Sequence, residues 1–239
     1  NIGYTAIMAR LLTPAAFGLV AMAQIAIRFL SYFAQLGISP AIIQKPDLSA
    51  RDIRAALTLS VLVNSALFGL MWALAPAASD FFDTPEIAPI LRALASAFLV
   101  SSLSVVSLGI LRRELKFKQL AIVEIAAYTI GYGVVGVGSA LAGYGVWSLV
   151  FAVIGQEVVT LVVAYYLVRH PLNPLFSADE LRHFLGFGSK YSVIGFLEFI
   201  GANVDTLLIG RWYGDTILGL YNRAQLVVKL PMHHLGTAI

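Results

Sequence analysis

The chain has 239 residues, of which 59% are hydrophobic and only 12% are charged, and this balance excludes an ordinary soluble globular domain. It contains no cysteine, which excludes a disulfide framework, thiol chemistry and zinc clusters of the usual spacing. The net charge of +3 comes from short basic loops rather than from a basic surface interleaved with aromatic residues, so no nucleic-acid partner is expected. These features predict an all-α integral membrane protein built as a multi-helix bundle.

Six apolar helices are predicted before residue 169. The first apolar run, residues 2–9, is shorter than the roughly 20 residues that a bilayer requires, so we expect the chain to be truncated at its start. Thr13 and Pro14 match a helix N-cap and first helical position, and Ser49 with Asp52 matches a capping box. The predicted helices end near residue 12 and then cover residues 14–37, 51–75, 85–111, 119–141 and 146–168.

The longest polar stretch, residues 171–185, is predicted to be a cytoplasmic linker. Within it Ser177 and Glu180 form a second capping box, which indicates a short amphipathic helix on the membrane surface. Helix seven is predicted over residues 187–212, and helix eight begins near Asp215 and is unfinished at the chain end, where we also expect truncation. The predicted domains are a six-helix lobe (1–170, first helix incomplete), the linker (171–185) and the first two helices of a second lobe (186–239).

Residues 202–225 repeat the first 24 residues of the chain, at an offset of 201 and without a gap. Six of the 24 positions are identical, and they include the less common residues Arg10 and Gln24, which recur as Arg211 and Gln225. A long internal period in an apolar chain is typical of duplicated helical bundles; the alternative is chance similarity of composition. An even number of predicted helices separates the copies, so we expect a parallel repeat of six helices.

The basic residues predict the orientation of the helices. Ten of them lie in or beside the loops after predicted helices two, four and six: Lys45, Arg51, Arg54, Arg112, Arg113, Lys116, Lys118, Arg169, Arg182 and Lys190. Near the other helix ends stand only Arg10, Arg92 and Arg211. The positive-inside rule therefore predicts a multi-pass protein with the loops after helices two, four and six in the cytoplasm.

Charged residues within the predicted helices indicate a wet interior. A charge at a helix centre costs at least about 2.5–3.5 kcal/mol in hydrocarbon, so it needs a partner or water. The charged residues are Arg28, Glu124, Glu157, Glu198 and Asp205. Polar residues also recur at helical spacing, as Gln24, Arg28 and Gln35 on helix two and as Glu124, Tyr128 and Tyr132 on helix five. We expect these stripes to line one cavity; the alternative is interhelical hydrogen bonding without any substrate.

Arg28 and Lys229 occupy equivalent positions of the repeat. A cation at the matching place in each half would put two positive charges on opposing walls of a central cavity. Such a pair suits an anionic group such as a phosphate, held by charge-assisted hydrogen bonds. The alternative for Lys229 is that its long side chain simply reaches the membrane surface.

No enzyme constellation is present in the sequence. It has no Walker A loop, no HExxH motif and no nucleophile elbow. The adjacent His233 and His234 are a weak metal signal, because neighbouring helical residues point to different faces. We therefore expect a protein that is not an enzyme and that carries no cofactor and no metal.

Several segments resemble one family in order along the chain. They are ARLLTP at 9–14, FGLVAM at 17–22, QLGI at 35–38, AIIQ at 41–44, LRRELKF at 111–117, GYGVWSLV at 143–150, DTLLIGR at 205–211 and LGLYNRA at 218–224. Together they resemble the Wzx-type flippases of O-antigen and exopolysaccharide biosynthesis. These belong to the superfamily of multidrug, oligosaccharidyl-lipid and polysaccharide exporters, also called MATE-like.

The resemblance implies a bacterial inner-membrane protein with two six-helix lobes. It would move undecaprenyl-pyrophosphate-linked oligosaccharide repeat units to the periplasmic leaflet for O-antigen, exopolysaccharide or capsule synthesis. The implied partners are this lipid-linked substrate, membrane lipids, a polysaccharide polymerase and glycosyltransferases. The candidate substrate-binding residues are Gln24, Arg28, Gln35, Tyr128, Glu157 and Lys229, and the candidate ion-coupling residues are Glu124, Glu198 and Asp205.

Two other functions stay open at this point. A cation-coupled antiporter of drugs or small molecules predicts a cavity dominated by acids, which Glu157, Glu198 and Asp205 would supply. A membrane scaffold that transports nothing predicts that every buried charge is paired within the bundle.

Overall fold

The structure, a computed structural model, describes residues 2–35, 38–175, 201 and 203–225. Of residues 2, 3, 5 and 32–35 it describes the backbone alone. The helices are α1 (Ile2–Leu11), α2 (Pro14–Gln35), α3 (Ile38–Gln44), α4 (Ala50–Phe82), α5 (Ile87–Arg113), α6 (Phe117–Tyr128), α7 (Val137–Leu141) and α8 (Trp147–Val168). A π-helical segment, Thr129–Gly136, joins α6 to α7.

The described ranges contain helices and no strand, as predicted. Five helical stretches among them are long and apolar enough to cross a membrane: Pro14–Ser31, Ala50–Phe82, Ile87–Arg113, Phe117–Leu141 and Trp147–Val168. The predicted all-α membrane bundle is thereby confirmed.

Two predicted helix starts have the expected caps. The Thr13 hydroxyl accepts a hydrogen bond from the Ala16 amide at 3.4 Å, at the start of α2. At the start of α4, Ser49 accepts from the Asp52 amide at 3.2 Å and the Asp52 carboxylate accepts from the Ser49 amide at 2.9 Å, which completes the capping box.

The segment between α4 and α5 differs from the prediction. α4 continues past Pro76 to Phe82 instead of ending at residue 75, because Phe82 buries its ring in the main core beside Ile87. The helix then stops at Asp83, whose φ of 56° is left-handed and whose amide donates back to the last turn. α5 starts at Ile87 rather than at residue 85. The Thr84 hydroxyl donates to the Phe82 carbonyl and does not cap α5.

α5 is the central helix of the bundle. Its most apolar window is 56% buried, whereas that of the stretch Phe117–Leu141 is 22% buried. The main core joins α2, α4, α5 and α8 through residues such as Met22, Met71, Leu94 and Val150. α3, which was not predicted, packs its Ile42 against α4 and α5 in a second cluster. α2 and α8 therefore pack into one continuous apolar interior with α5.

Residues 203–225 form a hairpin of two helical arms. The Gln225 amide donates to the Asp205 carboxylate at 2.7 Å, whereas a straight helix at 1.5 Å per residue would separate these residues by about 30 Å. The chain therefore reverses between them, and the positive φ of Gly214, 77°, provides the turn. This agrees with the predicted boundary between helices seven and eight.

Part of the prediction lies outside the described residues. This applies to the capping box of Ser177 and Glu180, to helix seven before residue 201 and to the chain after residue 225. Residues 171–175 are described and are not helical, and the Arg54 guanidinium binds the carbonyls of Asn173 and Pro174 there. The division into two lobes and a linker stays a prediction.

Candidate functional site

The polar stripe on α2 carries an exposed cation. Arg28 is exposed, and its Nη2 donates a hydrogen bond to Gln24 Oε1 at 3.3 Å, one helical turn earlier. Because a guanidinium has five N–H donors, Arg28 keeps further donors for another group. The side chain of Gln35, and the whole of Lys229 and Glu198, lie outside the described residues.

Three tyrosines form an aromatic cluster between α1 and the π-helical segment. The rings of Tyr128 and Tyr132 are stacked with centroids 5.1 Å apart, and Tyr4 meets Tyr132 edge-on at 4.8 Å. The hydroxyl oxygens of Tyr4 and Tyr128 are buried and have no hydrogen-bond partner among the described residues. Since leaving a buried polar group unsatisfied costs about 1–3 kcal/mol, these hydroxyls suit a water molecule or a polar ligand.

Tyr132 connects this cluster to charges on two other helices. It interacts electrostatically with Arg28 on α2, with Tyr128 on α6 and with Glu157 on α8. Glu157 is half-buried and has no hydrogen bond or ion pair to a described residue. The structure therefore brings together four of the sequence-predicted candidates, namely Gln24, Arg28, Tyr128 and Glu157.

Close backbone packing brings the π-helical segment that carries Tyr132 next to α8, which carries Glu157. A Cβ atom on Gly131 would lie 2.5 Å from the Gln156 backbone nitrogen, and one on Gly136 would lie 2.8 Å from the Ala152 Cβ. The two glycines thus let the π-helical segment touch α8 directly. Gln156 precedes Glu157, so this contact holds that turn of α8 next to the π-helical segment. π-Helical segments occur frequently at functional sites.

Glu124 lies apart from this cluster. It is exposed on α6, four residues before Tyr128, and it makes no hydrogen bond or ion pair with a described residue. Its predicted role in ion coupling stays a prediction.

Asp205 is already saturated with hydrogen bonds. It accepts from the Tyr221 hydroxyl, from the Gln225 amide at 2.7 Å, and from the Thr206 amide and hydroxyl at 2.8 and 3.3 Å. The bonds from Tyr221 and Gln225 join the two arms of the hairpin, as the interhelical alternative for such residues requires. A coupling ion at Asp205 would have to replace some of them.

Sequence reasoning missed Tyr4, and it placed Tyr132 on the polar stripe of helix five without naming it as a candidate binding residue. The four-residue step from Glu124 through Tyr128 to Tyr132 was a usable signal for Tyr132. Nothing comparable marks Tyr4, because it stands alone in the short first apolar run. Only the packing of α1 against the π-helical segment brings it to the site.

Comparison with known proteins gives a consistent set of relatives. The family described as polysaccharide biosynthesis protein matches residues 7–239. The teichuronic acid biosynthesis protein TuaB of Bacillus subtilis is 27% identical over 209 residues, covering 85% of this chain and 42% of that protein. The lipopolysaccharide biosynthesis protein WzxC of Escherichia coli is 23% identical over 98% of this chain and 48% of its own length. The succinoglycan biosynthesis transport protein ExoT of Rhizobium meliloti is 24% identical over 94% of this chain and 45% of its own.

The chain thus spans less than half the length of these curated relatives. No solved structure matches it. The family match, in contrast, begins at residue 7 and runs to the last residue. With its apolar helical bundle, this chain belongs to the polysaccharide biosynthesis protein family.

Proposed function

We propose that the full-length protein is a flippase of the bacterial inner membrane. It translocates undecaprenyl-pyrophosphate-linked oligosaccharide repeat units to the periplasmic side for O-antigen, exopolysaccharide or capsule synthesis. The loops after α3, α5 and α8, which carry the cluster of basic residues, face the cytoplasm. Glycosyltransferases supply the substrate there, and a polysaccharide polymerase uses it on the other side.

The convergence of Arg28, the tyrosines and Glu157 is the observation that carries this proposal. A guanidinium with free donors binds phosphate oxygens through charge-assisted hydrogen bonds. Tyrosine hydroxyls without a hydrogen-bond partner among the described residues, together with a carboxylate, suit the hydroxyl groups of a sugar next to that phosphate. Glu157 has no ion pair among the described residues, which favours transport over a scaffold that pairs every buried charge within the bundle.

Glu157 also supports a second candidate, a cation-coupled antiporter. A half-buried carboxylate without an ion pair among the described residues is the kind of group that binds a coupling cation or a cationic drug. Under this alternative Glu157 is essential for drug resistance, and Arg28 contributes little.

The test compares charge reversal at Arg28 with a conservative change in the full-length protein. Arg28→Glu is expected to lower surface polysaccharide by about tenfold or more, because it replaces an attractive charge beside the phosphate by a repulsive one. Arg28→Lys keeps the charge and is expected to retain most of the export. Surface polysaccharide is measured in cells that lack the chromosomal copy, at matched protein levels in the membrane.

Lys118→Glu is the matched control, since it reverses an exposed cation outside the cluster and should leave export unchanged. Normal export by Arg28→Glu would contradict the flippase proposal. Resistance to cationic drugs that survives Arg28→Glu but disappears with Glu157→Gln would favour the antiporter instead.

A further inference from the structure

The two copies of the sequence repeat touch each other through a pair of glycines. A Cβ atom on Gly18 would lie 1.8 Å from the Asp215 carbonyl oxygen, and a Cβ atom on Gly219 would lie 2.0 Å from the Pro14 carbonyl oxygen. Real Cβ atoms do not come this close to a backbone oxygen. Only glycine at both positions therefore permits the observed crossing of α2 with the second arm of the hairpin.

The contact is symmetric with respect to the repeat. At the offset of 201, Gly18 corresponds to Gly219 and Pro14 corresponds to Asp215. Gly18 contacts Asp215 and Gly219 contacts Pro14, so exchanging the two repeats turns each contact into the other. Reciprocal contacts of this kind define a two-fold axis between two like units, here two segments of one chain. The packing of the two segments thus follows the symmetry of the sequence repeat.

Neighbouring contacts place this crossing at one end of the bundle. Arg223 lies 4.3 Å from the Phe17 ring centroid and donates to the Leu12 carbonyl at 3.4 Å, at the turn between α1 and α2. This is the end opposite the basic loops. Arg28 follows Gly18 by ten residues, which puts it about 15 Å deeper along α2.

We propose that Gly18 and Gly219 form the closing contact between the two repeats at this end, above the Arg28 cluster. The contact parts when the passage opens to that side. This inference rests on the proposed transport function for its meaning, but the contact itself is testable without any substrate.

Glycine suits a contact that must open repeatedly. The two glycines bury no side chain against each other, so parting this contact exposes little apolar surface beyond that of Leu218, which is buried in the main core beside Gly219. No side-chain rotamer has to be reordered when they meet again. The close backbone approach still excludes water while it lasts, and Cα–H groups facing carbonyl oxygens give it modest stabilisation.

The first experiment measures access to a position just below the contact. Ala21→Cys, one helical turn after Gly18, provides a single thiol within these 239 residues, which contain no cysteine. A membrane-impermeant maleimide is applied to the full-length protein from the side at which α2 begins. Adding Gly18→Ala or Gly219→Ala should speed labelling roughly tenfold, since overpacking of this size shifts a two-state equilibrium by about that factor.

Gly69→Ala is the matched control. Gly69 is also a helical glycine, in α4, but nothing lies within 4 Å of a Cβ atom built there, so labelling of Ala21→Cys should not change. Unchanged labelling in both contact variants would overturn the proposed closure. Labelling needs no substrate, so this failure is separate from a failure of the Arg28 export test.

A second experiment decides the matter if the glycine variants do not accumulate. Phe17→Cys and Arg223→Cys are combined in an otherwise unchanged protein and bridged with a cleavable bismaleimide. The bridge should form efficiently and stop polysaccharide export. Export should resume once the linker is cleaved. Efficient bridging with undiminished export, or no bridging at all, would contradict the proposal.

Discussion

Arg113 shows how a basic residue at the end of α5 serves the backbone of another helix. Its guanidinium donates to the carbonyls of Ile42 and Pro46, both at 2.7 Å, and to that of Lys45. The last carbonyls of a helix have no partner within it, so Arg113 satisfies the end of α3 and the turn that follows. Sequence reasoning used Arg113 only as a marker of the cytoplasmic side.

Replacing Arg113 should destabilise the bundle measurably. Arg113→Ala is expected to lower the free energy of unfolding by about 1.5–3 kcal/mol, the usual range for hydrogen bonds to charged groups. Thermal unfolding of the detergent-solubilised protein measures this as a lower Tm. Lys118→Ala, which removes an exposed cation five residues later, should leave Tm nearly unchanged. Equal Tm values for the two variants would show that the Arg113 bonds contribute nothing net.

Among the helical elements, the stretch Phe117–Leu141 shows which features the sequence predicts and which it does not. Its hydropathy predicted one helix close to the observed bounds, but not how its four glycines pack. Gly131 and Gly136 do pack tightly, but nothing lies within 4 Å of a Cβ atom built on Gly133 or Gly138. The π-helical segment sets which glycines face α8, and no hydropathy period reveals an i→i+5 turn inside an apolar run.

The tightly packed glycines and the open glycines of this stretch should respond differently to replacement by alanine. Gly131→Ala is expected to lower Tm and the yield of folded protein, because its Cβ would lie 2.5 Å from the Gln156 backbone; overpacking of this kind costs about 1–3 kcal/mol. Gly133→Ala, two residues away, should be neutral or slightly stabilising, since alanine favours helix over glycine. Equal Tm values would indicate that α8 moves aside without cost.

For the molecule as a whole, composition and capping signals predicted the class, the five long helices and most of their ends. They did not predict α3, because a helix of seven residues is too short to show a clear hydrophobic period. They also ended α4 at Pro76, although the burial of Phe82 outweighs the lost backbone bond. For the site, sequence spacing found Arg28, Tyr128 and Glu157 one helix at a time. That they share Tyr132 as a neighbour depends on tertiary packing.

The predicted orientation leads to a labelling experiment on the whole protein. Asp47→Cys probes the exposed loop before α4, and Glu86→Cys probes the exposed turn before α5. An impermeant maleimide added outside spheroplasts should label Glu86→Cys and spare Asp47→Cys until the membrane is permeabilised. The opposite pattern would reverse the assignment of the cytoplasmic side, and equal labelling would contradict a span between the two positions.

The π-helical segment also makes the tyrosine site sensitive to chain length. A π turn holds about one residue more than an α turn, so deleting one residue between 129 and 136 would allow an ordinary helix to form. The shortened, ordinary helix would turn through nearly the same angle, so residues beyond the deletion would keep their direction relative to Tyr128. The extra residue therefore acts locally: deleting it would close the wide turn around Tyr132 and alter the tyrosine site without reorienting the rest of the helix.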